Sequence, residues 1–182
     1  AQGNYIMVLN NDIIVATDKW LSKLVSFAES DPTIGIVGCR LLYPDVRLQF
    51  SGTDTYERGI NTYLTWHPMQ TAPLLHKDEF TESHDIPAAT YAMGLFKRQL
   101  IDSIGYFDEK SFWSGCEDPD HCFRAWLAGW RVVYCGGVTL LHLESATDRK
   151  MAVTKTNVKI LYDKWHRVHP QFFTYIHNYV RD

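Results

Sequence analysis

Three short runs in this chain gather the residue types that do chemistry. The first is Asn10-Asn11-Asp12, which follows the apolar stretch Tyr5 to Leu9. Ligands collect at the carboxyl ends of strands in open α/β sheets, and a carboxylate flanked by amides suits a hard divalent cation carrying a diphosphate. The same tripeptide would also serve as a turn with an Asx cap. The second run is Trp113-Ser114-Gly115-Cys116-Glu117-Asp118-Pro119-Asp120, with three acids in four positions at a helix start. The helix dipole stabilises acids there, which accounts readily for one of them. A carboxylate kept ionised at that place is also what a general base needs to accept a hydroxyl proton. The third is His142, closing the run Val138 to Leu141. It reads either as a hydrogen-bonded structural histidine or as part of a metal or phosphate site.

A zinc site built from Cys116, His121, Cys122, Cys135 and His142 is a further arrangement to weigh. Gaps of 5, 12 and 6 residues between the successive cysteines and His142 lack the tight pairs of structural zinc modules.

The elements that must position these residues are those of an α/β layer protein. Tyr5 to Leu9 is continuously apolar, the pattern of an interior strand buried on both faces. Thr17 or Asp18 can cap a helix whose apolar positions are Trp20, Leu21, Leu24, Val25 and Ala28, ended by Asp31-Pro32. Ile34 to Gly38 is a second buried strand, so strand, helix and strand fit within about 35 residues, the length of a βαβ unit. Tyr43-Pro44-Asp45 is a turn, and Leu48 to Tyr56 alternates loosely. Gly59 to Ser83 is an unpatterned excursion whose Tyr63, Trp66 and His67 favour a binding surface over a spacer. Further on, Ile86 to Phe96 predicts a strand and Arg98 to Ile104 a helix closed by Gly105. A helix with Asp118 as cap and Pro119 in first position carries Phe123, Trp126 and Leu127, and Gly129 stops it. Val132 to Cys135 and Val138 to Leu141 read as two strands around a Gly136-Gly137 turn. Helices are expected over Asp148 to His166 and Gln171 to Val180.

Composition sets the outer bounds. A chain of 182 residues, 46% hydrophobic and 21% charged, fits one folded domain and excludes a disordered or collagenous chain. With 18 Lys and Arg against 21 Asp and Glu, the net charge of -3 gives no reason to expect nucleic acid as a partner. The apolar runs fall far short of the roughly 20 residues that a membrane span needs. The first ten residues show neither a basic region nor an apolar signal core, and a start without Met suggests a cut or processed terminus. Four cysteines without a C-x-x-C pair suit a reducing compartment, so the expected location is cytoplasmic, with the inner face of the membrane as the place of work.

Taken in order, these segments resemble the inverting family-two glycosyltransferases with a GT-A fold. The matching residues are Gly3, Tyr5-Ile6 and Leu9-Asn10-Asn11-Asp12; Asp31-Pro32 with Ile34 to Gly38; Leu41 to Asp45; Gln49 and Gly52; Ile86-Pro87-Ala88; Ile104 to Glu109; Glu117 to Asp120; Arg124 with Ala128-Gly129-Trp130; and His142. The resemblance runs from Gly3 to about Thr147, leaving 148–182 as a helical tail on the same domain, and Gly59 to Ser83 matches nothing in the family.

The resemblance implies a mixed sheet flanked by helices. It also implies transfer of a hexosyl or deoxyhexosyl group from a nucleotide-sugar donor to a carbohydrate or glycolipid acceptor, with inversion. Asn10-Asn11-Asp12 stands where the family has its D-x-D motif. There Asp12 is the expected ligand to Mn2+ or Mg2+ bridging the donor diphosphate, and Asn10 replaces the first Asp. Asp118 matches the catalytic base, Glu117 the residue that orients the acceptor, and His142 a position that joins the metal and diphosphate site. Trp113 and Trp66 are candidate acceptor contacts. The family's opening strands, which hold the nucleotide, precede the D-x-D position, and here the chain begins nine residues before Asn10. The expectation is therefore the metal and acceptor half of a longer enzyme. The rest of the parent polypeptide, or self-association, would cover the strand Tyr5 to Leu9. The alternative is a noncatalytic carbohydrate-binding or scaffold remnant of such a domain.

Overall fold

The computed structural model describes residues 2–52, 80–112, 115–143 and 151–172. Trp66, Trp113, most of the excursion at 59–83 and most of the second tail helix lie outside them. The elements are β1 (Tyr5–Leu9), β2 (Ile13–Val15), α1 (Trp20–Glu29), β3 (Ile34–Leu42), β4 (Leu48–Phe50), β5 (His84–Asp85), β6 (Met93–Lys97), α2 (Arg98–Ile104), α3 (Glu117–Leu127), β7 (Arg131–His142) and α4 (Met151–Trp165).

The strands form one mixed sheet in the order β1-β6-β3-β7-β2, with β4 beside β3 and β5 beside β7. Only β3 and β7 run parallel; every other pairing is antiparallel. Since β6 is antiparallel to both β1 and β3, those two point the same way with β6 between them. The βαβ unit read from the sequence is thus present but split by a strand from much later in the chain. β1 consequently occupies an edge of the described sheet, half-buried rather than covered on both faces. The interior place belongs to β6, all five of whose residues are buried. An apolar run specifies that a strand is sheltered but not how many neighbours it has.

Two other segments depart from the sequence reading. Gly136-Gly137 makes no turn: β7 is one strand of 12 residues. Both of its halves pair with β3, and the register jumps from Cys39↔Cys135 to Arg40↔Thr139, so the glycine pair lies in a bulge. A Cβ on Gly136 would stand 2.3 Å from the Thr81 carbonyl oxygen, so glycine is required here for close approach of backbone. Helix α1 starts without a side-chain cap, after Lys19 at φ 53. Thr17, one of the expected caps, instead bonds the backbone of β7: its hydroxyl accepts from the Thr139 N–H (2.8 Å) and donates to the Thr139 carbonyl (3.1 Å). Leu24 and Ala28 of α1 are buried as expected, whereas Leu21 is exposed. The strand expected from Ile86 begins only at Met93, although Ile86, Ala88, Ala89, Tyr91 and Ala92 are buried.

Helix α2 has the expected bounds and ends at Gly105 with φ 76. Helix α3 lies across the sheet, with Phe123 buried and the Trp126 indole donating to the Ile86 and Pro87 carbonyls. Leu127, expected on its apolar stripe, is exposed. Helix α4 is fastened to α3 through Asp120, whose side chain is wholly buried. Its carboxylate accepts from Lys164 Nζ (2.7 Å), the Trp165 indole (2.8 Å) and Arg124 Nε (3.1 Å). Arg124 also donates to the Ile104 and Tyr106 carbonyls, tying in the end of α2, and Lys164 reaches Asp108 at 3.0 Å.

These polar links predict two stability effects. Replacing Asp120 by Ala removes the buried acceptor shared by Lys164, Arg124 and the Trp165 indole and should lower unfolding free energy by about 3 kcal/mol, measured by urea denaturation. His121, wholly buried beneath Tyr91, Phe96 and Phe107, is held neutral: burial chiefly, and then the Arg124 charge, lowers its pKa from 6.5 to about 4. The unfolded chain therefore binds the extra proton first as pH falls. The stability due to His121 is complete above about pH 6.5 and is lost as pH drops through about 4, a change on the order of 3 kcal/mol. Denaturation across that window should show the slope, and His121→Gln should flatten it.

Candidate functional site

Where β1 ends, the chain turns through Asn10 to Asp12 and enters β2, which pairs with the far end of β7 so that Ile13 faces His142. Two backbone bonds fix this corner: the Asn10 N–H donates to the Ala92 carbonyl (2.9 Å) and the Leu143 N–H to the Asp12 carbonyl (3.0 Å). The side chains of Asp12 and His142 consequently converge, with Asp12 Oδ1 3.2 Å from His142 Nε2. Asn10 Nδ2 lies 3.2 Å from the same Nε2. Asn11 is exposed beside them. Behind the histidine stands Gln49 of β4, 0% exposed, with Oε1 2.7 Å from His142 Nδ1 and Nε2 3.4 Å from the His142 carbonyl oxygen.

The donor chemistry of this corner suits a hard or borderline divalent ion. Carboxylate oxygen and imidazole nitrogen are both accepted by Mn2+. Adjacent ligands on an octahedral ion with bonds of about 2.1 Å stand roughly 3 Å apart, near the separation found between Oδ1 and Nε2. Two protein ligands leave room for water and substrate phosphate oxygens, the usual arrangement for ions that travel with a diphosphate. The zinc alternative fares differently. Cys122 is engaged with the Ala89 N–H and the Tyr91 hydroxyl, and Cys135 faces Cys39 across the β3–β7 ladder. Among the described residues no three His, Cys, Asp or Glu side chains are grouped to hold a metal.

The acidic run begins α3 differently from the sequence expectation. The helix starts at Glu117, and the capping position is Cys116 in the left-handed region (φ 71), preceded by Gly115 at φ 88. Asp118 is therefore not the cap but a residue of the first turn, with Oδ2 3.4 Å from the Tyr91 N–H. The Gly115 carbonyl accepts from Asn157 Nδ2 of α4 at 2.8 Å, which holds the turn before the helix. The three acids separate by environment. Asp120 is the buried anchor of α4, Asp118 is part-buried against residue 91, and Glu117 keeps Oε2 buried with no hydrogen-bond donor among the described residues. Their joint field is visible at Cys116, whose thiol pKa is pushed far up by burial and then by Asp118, Glu117 and Asp120.

Both clusters grip the same piece of chain. Asn10 bonds to residue 92 and Asp118 to residue 91, so the corner holding Asp12 and His142 and the start of α3 flank one short segment. Below it, the Tyr91 hydroxyl meets His121 Nδ1 at 2.8 Å and Cys122 Sγ at 3.3 Å, which seats the segment on α3. Sequence reasoning assigned no role to Tyr91 or Asn157 and treated Gln49 as a match without a task. Of the three, Gln49 alone carried a local signal, an amide between the apolar Leu48 and Phe50.

Residues 1–105 match the model of Glycosyl transferase family 2. Among curated proteins, the O-antigen biosynthesis protein RfbC of Myxococcus xanthus is 31% identical over 163 residues, which is 89% of this chain and 12% of RfbC. The uncharacterized protein y4gI of Sinorhizobium fredii (strain NBRC 101917 / NGR234) is 28% identical over 174 residues, 91% of this chain and 19% of that protein. The chain thus spans less than a fifth of the length of these relatives. Among solved structures, GalNAc-T7 with UDP, GalNAc and Mn2+ superposes with a TM-score of 0.60 at 19% identity, covering 94% of this chain and 34% of that one. The mannosyltransferase PcManGT from Pyrobaculum calidifontis, in complex with GDP-Man and Mn2+, gives 0.54 at 17% identity over 100% of this chain and 41% of its own. No helix among the described residues is long and apolar enough to cross a membrane. With the family model covering more than half of its residues and glycosyltransferases among its structural neighbours, this chain belongs to glycosyl transferase family 2 and has the GT-A fold.

Proposed function

We propose that the chain is the metal and acceptor half of an enzyme that transfers a hexosyl or deoxyhexosyl group from a nucleotide-diphosphate donor to a carbohydrate or glycolipid acceptor, with inversion. The observation that carries the reading is the meeting of Asp12 and His142 at 3.2 Å, next to the segment that also receives Asp118. Asp12 and His142 would hold Mn2+ or Mg2+, with Asn10 and Asn11 offering amide donors to the diphosphate. When bound, the ion supplies Lewis-acid stabilisation of the charge that develops on the leaving diphosphate. The nucleotide and Mn2+ in GalNAc-T7 and PcManGT support a donor and metal of this kind.

On the acceptor side, Asp118 takes the proton of the attacking hydroxyl. The freed oxygen bonds to the anomeric carbon as the bond to the diphosphate oxygen breaks, and a single displacement inverts the centre. Glu117 Oε2, buried with no donor among the described residues, would be satisfied when an acceptor hydroxyl donates to it, which would orient the nucleophile. Trp113 and Trp66 supply apolar faces for the sugar rings. Four cysteines that form no disulfide are in keeping with a reducing, cytoplasmic compartment. The open edge of β1 would be covered by the rest of the parent polypeptide or by a second copy, and residues 148–182 complete the same domain. A noncatalytic remnant is the rival, favoured by Asn10 in place of a carboxylate, and turnover of a nucleotide sugar by the parent protein decides between them.

Two substitutions in the full-length enzyme test the roles. Asp12→Ala leaves neutral amides that cannot replace an anionic ligand, so donor affinity should cease to respond to Mn2+ in a calorimetric titration. Asp118→Asn retains an oxygen to accept the Tyr91 N–H, so the melting temperature should stay within a few degrees while kcat falls by a factor on the order of 100 or more. Near-normal turnover in that variant would remove Asp118 from the mechanism.

A further inference from the structure

The corner around His142 contains a polar side chain that does not touch the solvent. Gln49 is 0% exposed and spends both ends of its amide on one residue. Its Nε2 faces the His142 carbonyl oxygen, which can be satisfied only by a donor, so the amide orientation is fixed. Its Oε1 then lies 2.7 Å from His142 Nδ1 and requires a proton on that nitrogen. With the proton at Nδ1, the lone pair of the neutral imidazole is at Nε2, the atom 3.2 Å from Asp12 Oδ1. Asn10 agrees with this assignment, since its Nδ2 is a donor directed at the same Nε2.

We propose that Gln49 is a positioning residue that locks His142 in the Nδ1–H tautomer and so presents Nε2 as a metal donor beside Asp12. The inference rests on the reading of Asp12 and His142 as the metal pair. It extends that reading to a residue on a different strand, 93 positions from the histidine it controls. The physical reason is general: a ligating imidazole binds through one nitrogen, and the partner of the other nitrogen decides which one that is. Because β4 hangs from β3 while His142 ends β7, the central β3–β7 ladder delivers the amide to the ring. The hairpin after Leu42 therefore has a task at the site.

Two readouts other than turnover test it. In the metal-free parent chain at pH 8, the nitrogen-15 spectrum of the histidines should show His142 protonated at Nδ1; an Nε2–H tautomer overturns the proposal. Binding of Mn2+ in the presence of inorganic pyrophosphate, followed by electron paramagnetic resonance of the free ion, supplies the second. Gln49→Met, close in volume but without the amide, should weaken Mn2+ about 10- to 100-fold. A folded Gln49→Met variant with the parent's affinity overturns the role of Gln49. His142→Ala separates the two levels of inference. If it binds Mn2+ as tightly as the parent, the metal pair itself is wrong; if it binds weakly while Gln49→Met does not, only the positioning role fails.

Discussion

The parallel ladder between β3 and β7 is the constraint on which the rest of this molecule hangs. β7 runs unbroken for 12 residues beside the nine of β3, and its last residue, His142, is thereby carried to the corner where β1 gives way to β2. Each neighbour is set from this pair: β6 and β4 are built onto β3, β2 and β5 onto β7. The bulge at Gly136 to Val138 lets a longer strand follow a shorter one without leaving the sheet. A side chain at position 136 would collide with the backbone at Thr81, so Gly136 serves that close approach and not a reversal of the chain.

Onto this frame the acidic helix start is fastened from behind. Asp120 spends its charge on α4 and on Arg124, where no solvent competes, and so belongs to the architecture. Asp118, two residues earlier in the same first turn, faces the segment at residue 91. The two carboxylates differ in surroundings because Asp120 points into a packed interface and Asp118 toward the segment at residue 91. The left-handed pair Gly115-Cys116, held by Asn157, sets the direction in which the helix begins and so where Glu117 and Asp118 point. Helix α4, which lies beyond the segment matched by the family model, is therefore part of what keeps the candidate base in position.

The edges of the sheet are where this chain meets the world. β1 is apolar along its length yet half-buried, paired within the described residues to β6 alone. An unpaired strand edge offers a row of backbone donors and acceptors, and proteins seldom leave one uncovered. The curated relatives are several times longer than this chain.

What the amino-acid order determined by itself was local. The apolar run of β1, the bounds of α2 with its closing glycine, the turn at Tyr43 to Asp45 and the grouping of acids in the first turn of α3 all follow from periodicity and from Gly, Pro and Asp chemistry acting over a few residues. The candidates Asp12, Asp118 and His142 were legible because their types and order are informative together. Contacts between distant segments were not. That β6 would displace β3 from the side of β1, that Thr17 would be claimed by β7 rather than cap α1, and that Gly136-Gly137 would bulge instead of turning each depend on which strand lies alongside. The same holds for Gln49 and Tyr91, whose roles arise from partners 93 and 30 positions away. Local sequence sets the preferences of a segment, but a hydrogen bond across the sheet is decided by the neighbour that packing brings to it.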